Sequence, residues 1–531
     1  MATLALKPVP ASQPHAADHV SARTWLCVLG VLLGCFMAVL NIVLTNSSLR
    51  DIAGTLGASA DEISWVPTSY LVAEIVVIPL TAWLSQAFSL KRYLLVNSIL
   101  FLFFSVCCGQ ARSLELMIIF RILQGFTGGV LIPLSFSVIL NYLPPSKHPV
   151  GMALFSITAT FAPAIGPLIG GWLTDTYGWP FIFYLNVLPC LLLIAAVWFT
   201  MDAQPTQLAL LKRGDWVGII SMAIGLGSLE IVLEDGNRKD WFGDPGIAHL
   251  TWIAVIFISI FVVNELVHKE PLVDLRLFGR RNFGLGSLIN VALGMGLYGV
   301  IYLIPVYLGQ MQGYNAFQIG TVIIWMGLPQ LLIIPFIPKL MQWFDSRYMI
   351  GFGMLLFGSS CFLTSYFNRD FSGPQIHFPL LIRAIGQPFI MVPLSAVATA
   401  GMAKGRESGA ASALFNMLRN MGGSFAIAGL STILSVRERF HSLRIGESVS
   451  IYSEATRDRL QHMTDFFMSR GADPVSAQAT AVGSLGFAVR QQSFFLGYND
   501  CFIFLGFVLL ASASVLFFMK KAKTAGGGEA H

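Results

Sequence analysis

Apolar stretches of about twenty residues recur along almost the whole chain. A stretch of that length with few charges satisfies its own backbone in lipid only as a membrane-crossing helix. Fourteen are present: 24–46, 63–85, 92–110, 114–141, 151–173, 181–200, 216–234, 248–267, 284–309, 317–338, 347–367, 377–400, 409–434 and 497–519. The residue balance agrees, with 55% hydrophobic and 11% charged residues and a mean hydropathy of +0.70. A soluble domain carries roughly 25% charged residues. The expected fold is therefore all-α and polytopic. The net charge of +5 is spread over short loops, so no nucleic-acid surface is expected.

Loop charge orients the bundle. With the N-terminus inside, the cytoplasmic segments hold 18 Lys and Arg against 5 in the short outer loops. Both termini are then expected in the cytoplasm, with 1–23 and 520–531 as tails. The 435–496 segment, with 7 Lys and Arg, faces outward and reads as two short amphipathic helices. It is either a docking element for another protein or a solvated loop on the lipid surface. The seven cysteines lie in apolar stretches without metal or redox spacing. No His, Asp or Glu set has ligand spacing, and no nucleotide-binding Gly-rich loop is present. No metal, no cofactor and no enzyme chemistry are expected, and a membrane enzyme is disfavoured.

Polar residues inside the spans are costly and therefore informative. In the first span Asn41, Thr45 and Ser48 share a helical face, read as lining a path for substrate or ion, with Tyr70 and Gln124 as further cavity candidates. Asn46-Ser47-Ser48 matches a glycosylation acceptor but lies too near the membrane to be read as one. The fourth span has "RILQGFTGGVLIPLS" and the twelfth "RAIGQPFIMVPLS", each opening on an intramembrane Arg (Arg121, Arg383) and closing on Pro-Leu-Ser. That likeness suggests duplicated halves. Gln124 and Gly128 share the face of Arg121. The fifth span, "FAPAIGPLIGGW", places Ala162, Gly166 and Gly170 four apart, with Gly171 next and Pro163 and Pro167 interrupting the ladder. Such a face allows close packing and sliding against a neighbour, or tight packing without motion.

These segments resemble the major facilitator superfamily. "RILQGFTGG" is similar to its fourth-helix motif R-x-x-Q-G-x-x-x-G, and "APAIGPLIGG" to its fifth-helix antiporter motif G-P-x-x-G-G. Fourteen spans match the drug:proton antiporter-2 branch. "IPLTAWLS", "FRILQG", "LIPLS", "GSLEIVLEDGNRKDWF" and the tail "GGGEAH" look like its EmrB-type multidrug efflux subunit. The resemblance implies the major facilitator fold: a six-helix bundle over 24–200, a linker with two extra spans over 201–283, and a second six-helix bundle over 284–519. It also implies export of amphipathic compounds across the bacterial inner membrane, driven by a proton gradient. A periplasmic membrane-fusion adaptor and, through it, an outer-membrane channel are the implied partners. The departures are specific. The first-helix pattern L-D-x-T…P has Asn41 for Asp, Val43 for Thr and Arg50 for Pro. The loop motif after the second helix has Gln86 for its acid and Ser89 for its glycine, and keeps Lys91 and Arg92.

An Asn cannot carry a proton, so coupling is expected at an intramembrane acid, where burial favours the neutral carboxyl. Glu74 in the second span, one turn after Tyr70, is the first candidate; its rival role is a permanent pairing with Arg121. Glu230 in the seventh span is the second, read as lying near water at that helix's outer end and off the central path. Asn290, Tyr298 and Tyr302 in the ninth span are candidate cavity residues or ordinary packing. Arg383 and Arg419 either contact an anionic substrate or hold helices together. An uncoupled facilitator or importer is the alternative that Asn41 leaves open.

Overall fold

The computed structural model describes residues 20–202, 204–212, 214–268, 271–368, 370–400 and 406–521. Most of both tails, and the counted charges Arg213, Lys269, Arg369 and Lys404, lie outside the described residues. The fold is all-α. The helices are α1 (Ala22–Ser47), α2 (Trp65–Phe88), α3 (Leu90–Gly109), α4 (Leu114–Tyr142), α5 (His148–Tyr177), α6 (Pro180–Thr200), α7 (Trp216–Asp235) and α8 (Pro245–Val267). They continue as α9 (Arg281–Met311), α10 (Ala316–Trp343), α11 (Ser346–Thr364), α12 (Gly373–Ala398), α13 (Arg406–Ser448) and α14 (Pro474–Ala513). Among the described residues, twelve of these are long and apolar enough to cross a membrane. The other two, α11 and α13, stand where the eleventh and thirteenth spans are expected; α11 has Arg347 as its second residue and α13 carries a charged C-terminal third.

Two six-helix groups meet along two seams. At one, α5 packs on α10; at the other, α2 packs on α13. The extra helix α7 lies on α2, α13 and its own partner α8. Helix α8 is outermost, with Trp252, Val255, Val263 and Val267 all more than half exposed, as expected of a lipid-facing helix.

Small residues set the helix spacing. A Cβ on Gly125 would lie 2.9 Å from the Cα of Tyr70, and one on Gly129 would lie 3.0 Å from the Cα of Glu74. The fourth-span glycines thus let α2 rest directly on α4, the close approach that holds helices together in lipid. Helix α5 is unbroken despite Pro163 and Pro167. Its four-residue small face is not the inter-half seam: a Cβ on Gly166 would be 2.9 Å from Val43, and one on Gly170 would press on Leu44 and Ser47. That face packs on α1 within the same half. The α10 seam is made instead by Gly171 against Ala316 and Phe317, and by Ala164 against Gly327.

The 435–496 segment differs from the two short helices expected. Helix α13 runs on to Ser448 and α14 begins at Pro474, leaving one separate helix, Glu454–Ser469, between them. No Gly or Pro interrupts 430–445, so the helix keeps its ladder until Gly446, two residues before its end at Ser448. At the other end the turn at Gly471 (φ 92°) and Asp473, which caps α14, begin the return. Asp500 ties the two extensions together, accepting from Arg437 Nε at 2.5 Å and pairing with His441 Nε2 at 2.7 Å.

On the face carrying the termini, Lys91 caps the C-terminal carbonyls of α6, donating to Trp198 O (2.8 Å) and Met201 O (2.6 Å). A cation is favourable there. Ser89, standing where the resemblance expects glycine, has φ 67° and ψ 142°. That region is nearly reserved for glycine and costs a side-chain-bearing residue about 1–3 kcal/mol. Ser89→Gly is therefore expected to raise the unfolding temperature of the purified protein and Ser89→Val to lower it, measured by thermal denaturation in detergent.

Candidate functional site

The first-span polar face does not open on a cavity. Asn41, Thr45 and Ser48 are buried. Thr45 bonds its own helix at Asn41 O, and Ser48 pairs with Thr174 at 2.6 Å. Asn41 Oδ1 instead accepts from Arg121 Nη1 at 2.5 Å, which also donates to Gln124 Oε1 at 2.8 Å, while Arg121 Nε donates to Val66 O at 3.1 Å. The guanidinium sits 4.3 Å from the centre of the Tyr70 ring, in cation–π contact. Tyr70 donates to Ala38 O at 3.3 Å. Arg121, Asn41, Tyr70 and Gln124 thus form a buried pin joining α1, α2 and α4. Among the hydrogen bonds described, Arg121 makes none to Glu74.

Glu74 faces the other way, into a cavity of about 140 Å³ at the α2–α13 seam. Its walls are mostly apolar, among them Val39, Ile75 and Ile301, and Pro163, Tyr298 and Tyr302 also line it. Three carboxylates reach it: Glu74, Glu230 and Glu234. Glu74 and Glu230 are each 3% exposed, so neither is an ordinary solvated acid. Each is bonded to α13 of the second half. Asn420 Nδ2 donates to Glu74 Oε1 at 3.5 Å, a long contact, and Ser424 Oγ donates to Glu230 Oε1 at 2.8 Å. Tyr298 OH completes the chain by donating to Asn420 Oδ1 at 3.3 Å.

Glu230 is therefore not off the central path. The end of α7 is not in open water either: Asp235 is 2% exposed. The turn after it folds back and fastens the helix. Trp241 Nε1 donates to Thr432 Oγ1 at 3.0 Å, Asn237 Nδ2 to Ser435 Oγ at 3.4 Å, and Arg238 bridges Asp235 (3.0 Å) and Ser64 (2.6 Å). "GSLEIVLEDGNRKDWF" is thus a carboxylate-bearing helix end followed by its own clasp.

The remaining candidates separate. Asn290 lies towards the termini and donates to Phe415 O at 2.6 Å, beside a small space of about 10 Å³. Arg383 and Arg419 line a third space, of about 20 Å³, deeper in the bundle. Sequence reasoning missed Asn46, Glu234, Asn420 and Ser424 as cavity residues. Helical periodicity placed Asn46 off the Asn41 face, and nothing local marked "NMGGS" as facing two acids.

The description Major Facilitator Superfamily matches residues 31–427. The chain is 30% identical to the colistin resistance protein EmrB of Acinetobacter baumannii, covering 94% of this chain and 97% of the relative. It is 31% identical to the multidrug export protein EmrB of Escherichia coli K12, covering 96% and 97%. Among solved structures, a POT family transporter in complex with a thioalcohol-conjugated peptide superposes with a TM-score of 0.59 at 14% identity, covering 93% of this chain and 94% of that one. At that identity the likeness is one of fold.

The pin gives a direct test. Asn41→Ala removes an acceptor from a buried guanidinium, a loss of about 1.5–3 kcal/mol, and is expected to lower the unfolding temperature clearly. Asn41→Asp keeps the acceptor and is expected to be at least as stable as wild type in the same measurement.

Proposed function

The chain belongs to the major facilitator superfamily, and on that premise we propose that it is a proton-coupled exporter of amphipathic or hydrophobic compounds across the bacterial inner membrane. One observation carries this reading: two buried carboxylates, Glu74 on α2 and Glu230 on α7, share one cavity and each accepts a hydrogen bond from α13 of the second half. An ionised carboxylate holds such donors strongly. A proton taken up by either carboxylate weakens that group's own tie and removes the repulsion between the pair, favouring separation of its helix from α13. Release of the proton restores the tie. Protonation and the relative position of the halves are thereby linked, as alternating access with antiport requires. The apolar walls and Tyr298 and Tyr302 suit an amphipathic cargo. The relatives' names, multidrug export and colistin resistance, support export over import.

In this reading both termini are cytoplasmic, and the gradient replaces any cofactor. The helical extensions over 435–496 project into the periplasm, where they meet a membrane-fusion adaptor leading to an outer-membrane channel. An uncoupled facilitator remains the second reading, because Asn41 cannot titrate.

Proteoliposomes loaded with a pH-sensitive dye decide between the two. Substrate chosen by a susceptibility screen is expected to release protons through wild type. Glu74→Gln abolishes that release and pH-driven transport while expression is retained, and Glu230→Gln reduces both at least tenfold. Full pH-driven transport by Glu74→Gln would overturn the assignment. Deleting 454–469 is expected to weaken co-purification of a co-expressed periplasmic membrane-fusion adaptor; unchanged recovery counts against docking there.

A further inference from the structure

Arg121 and Arg383 occupy corresponding places in the repeated motifs, yet their surroundings differ. Arg121 is held by two side-chain acceptors and a carbonyl. Arg383, 1% exposed, donates only through Nη2, to Leu297 O at 3.1 Å. Its Nε and Nη1 are buried and meet no acceptor among the described residues. Its guanidinium carbon stands 4.8 Å from the centre of the Phe357 ring. Arg383 lines the space of about 20 Å³ in company with Arg419, Gln387, Thr160 and Tyr298, and no carboxylate lines it. Arg419 spends Nη2 on Asn416 Oδ1, at 2.9 Å. Two guanidiniums therefore reach one small, largely apolar space, and one of them keeps two donors without an acceptor among the described residues.

A buried cation without a counter-charge is among the most costly arrangements a helix bundle can hold. An anion supplies the missing charge and accepts the free donors, and the guanidinium is the side chain best suited to a carboxylate. The space exceeds the ~10–15 Å³ that one water molecule needs, and a carboxylate head enters as its apolar walls give way. It is also adjacent to the acidic cavity: Val39, Pro163, Tyr298 and Ile301 line both. A ligand with its anionic head at Arg383 would extend its apolar body along Val39 and Ile301, and the carboxylates at the far end would repel a reversed orientation.

We propose that Arg383, assisted by Arg419, is an anion subsite that receives the head group of an amphipathic organic anion. As a substrate class this rests on the export reading; as a binding site it does not.

Decanoate and decanol test it, differing only in the charged head. Binding to the purified full-length protein in detergent is followed by tryptophan fluorescence, in chloride and in chloride-free gluconate buffer. Decanoate is expected to bind wild type at least tenfold more tightly than decanol. Arg383→Gln should lose that advantage, and Arg383→Lys should keep most of it. Thermal melts of both variants establish that they are folded. Equal binding of decanoate to wild type and to folded Arg383→Gln overturns the subsite, as does equal binding of decanol and decanoate to wild type. If chloride alone stabilises wild type but not Arg383→Gln, and decanoate does not bind, the anion is inorganic and the amphiphile assignment falls. Glu74→Gln should bind decanoate normally. Transport by that variant would then sink the coupling scheme while leaving the subsite standing.

Discussion

Helix α2 lies where it does because Gly125 and Gly129 have no side chains. With lipid on the outside there is no hydrophobic drive between helices, and closeness of backbones takes its place. The contact sets the height of α2 against α4 at two points one turn apart, beside Tyr70 and Glu74. Tyr70 is thereby presented to the Arg121 guanidinium and Glu74 is turned to the other side, towards α13. A side chain at either glycine would lift α2 away, and the pin and the cavity would lose their geometry together.

The two halves meet along two corresponding seams that have been given different chemistry. The α5–α10 seam is close-packed and apolar, with Ala164, Gly171 and Gly327 in contact with their neighbours. The α2–α13 seam is polar, with hydrogen bonds passing from Asn420 and Ser424 to two carboxylates. Only the second is covered by α7, which supplies one of those carboxylates and is clasped to α13 through Trp241. A duplicated fold alone would make the seams alike. The extra helix pair breaks that equivalence and brings a second buried carboxylate, Glu230, to the seam beside Glu74.

Much of the architecture was legible because a bilayer accepts so few structures: apolar length fixes each crossing, and motif glycines mark close packing. Glu74 stood out because an acid amid "VAEIVVIPL" has few innocent explanations. Periodicity, however, tells which residues share a face and not which helix that face meets. Glu230 was misread for this reason. Chain order puts α7 in a linker between the halves, whereas the fold returns it to their interface. Asn420 and Ser424 were missed because their meaning lies in residues some 350 and 190 positions earlier. The likeness of Arg121 and Arg383 was readable, but the difference in what surrounds them was not, since each takes its partners from other helices.

The substitution at position 41 now has a physical consequence. An aspartate there would form an ion pair with Arg121, and that contact would strengthen or fail with its protonation. Asn41 makes the same hydrogen bond at any pH, so α1, α2 and α4 stay pinned whatever the proton gradient does. In the proposed coupling scheme the titrating groups sit instead at the α2–α13 seam, where losing a hydrogen bond loosens the contact between the halves. Within one half, a weakened bond would only loosen a bundle. With acids on α2 and α7 and an amide on α1, that scheme puts the point of response at the boundary between halves and not in the interior of one.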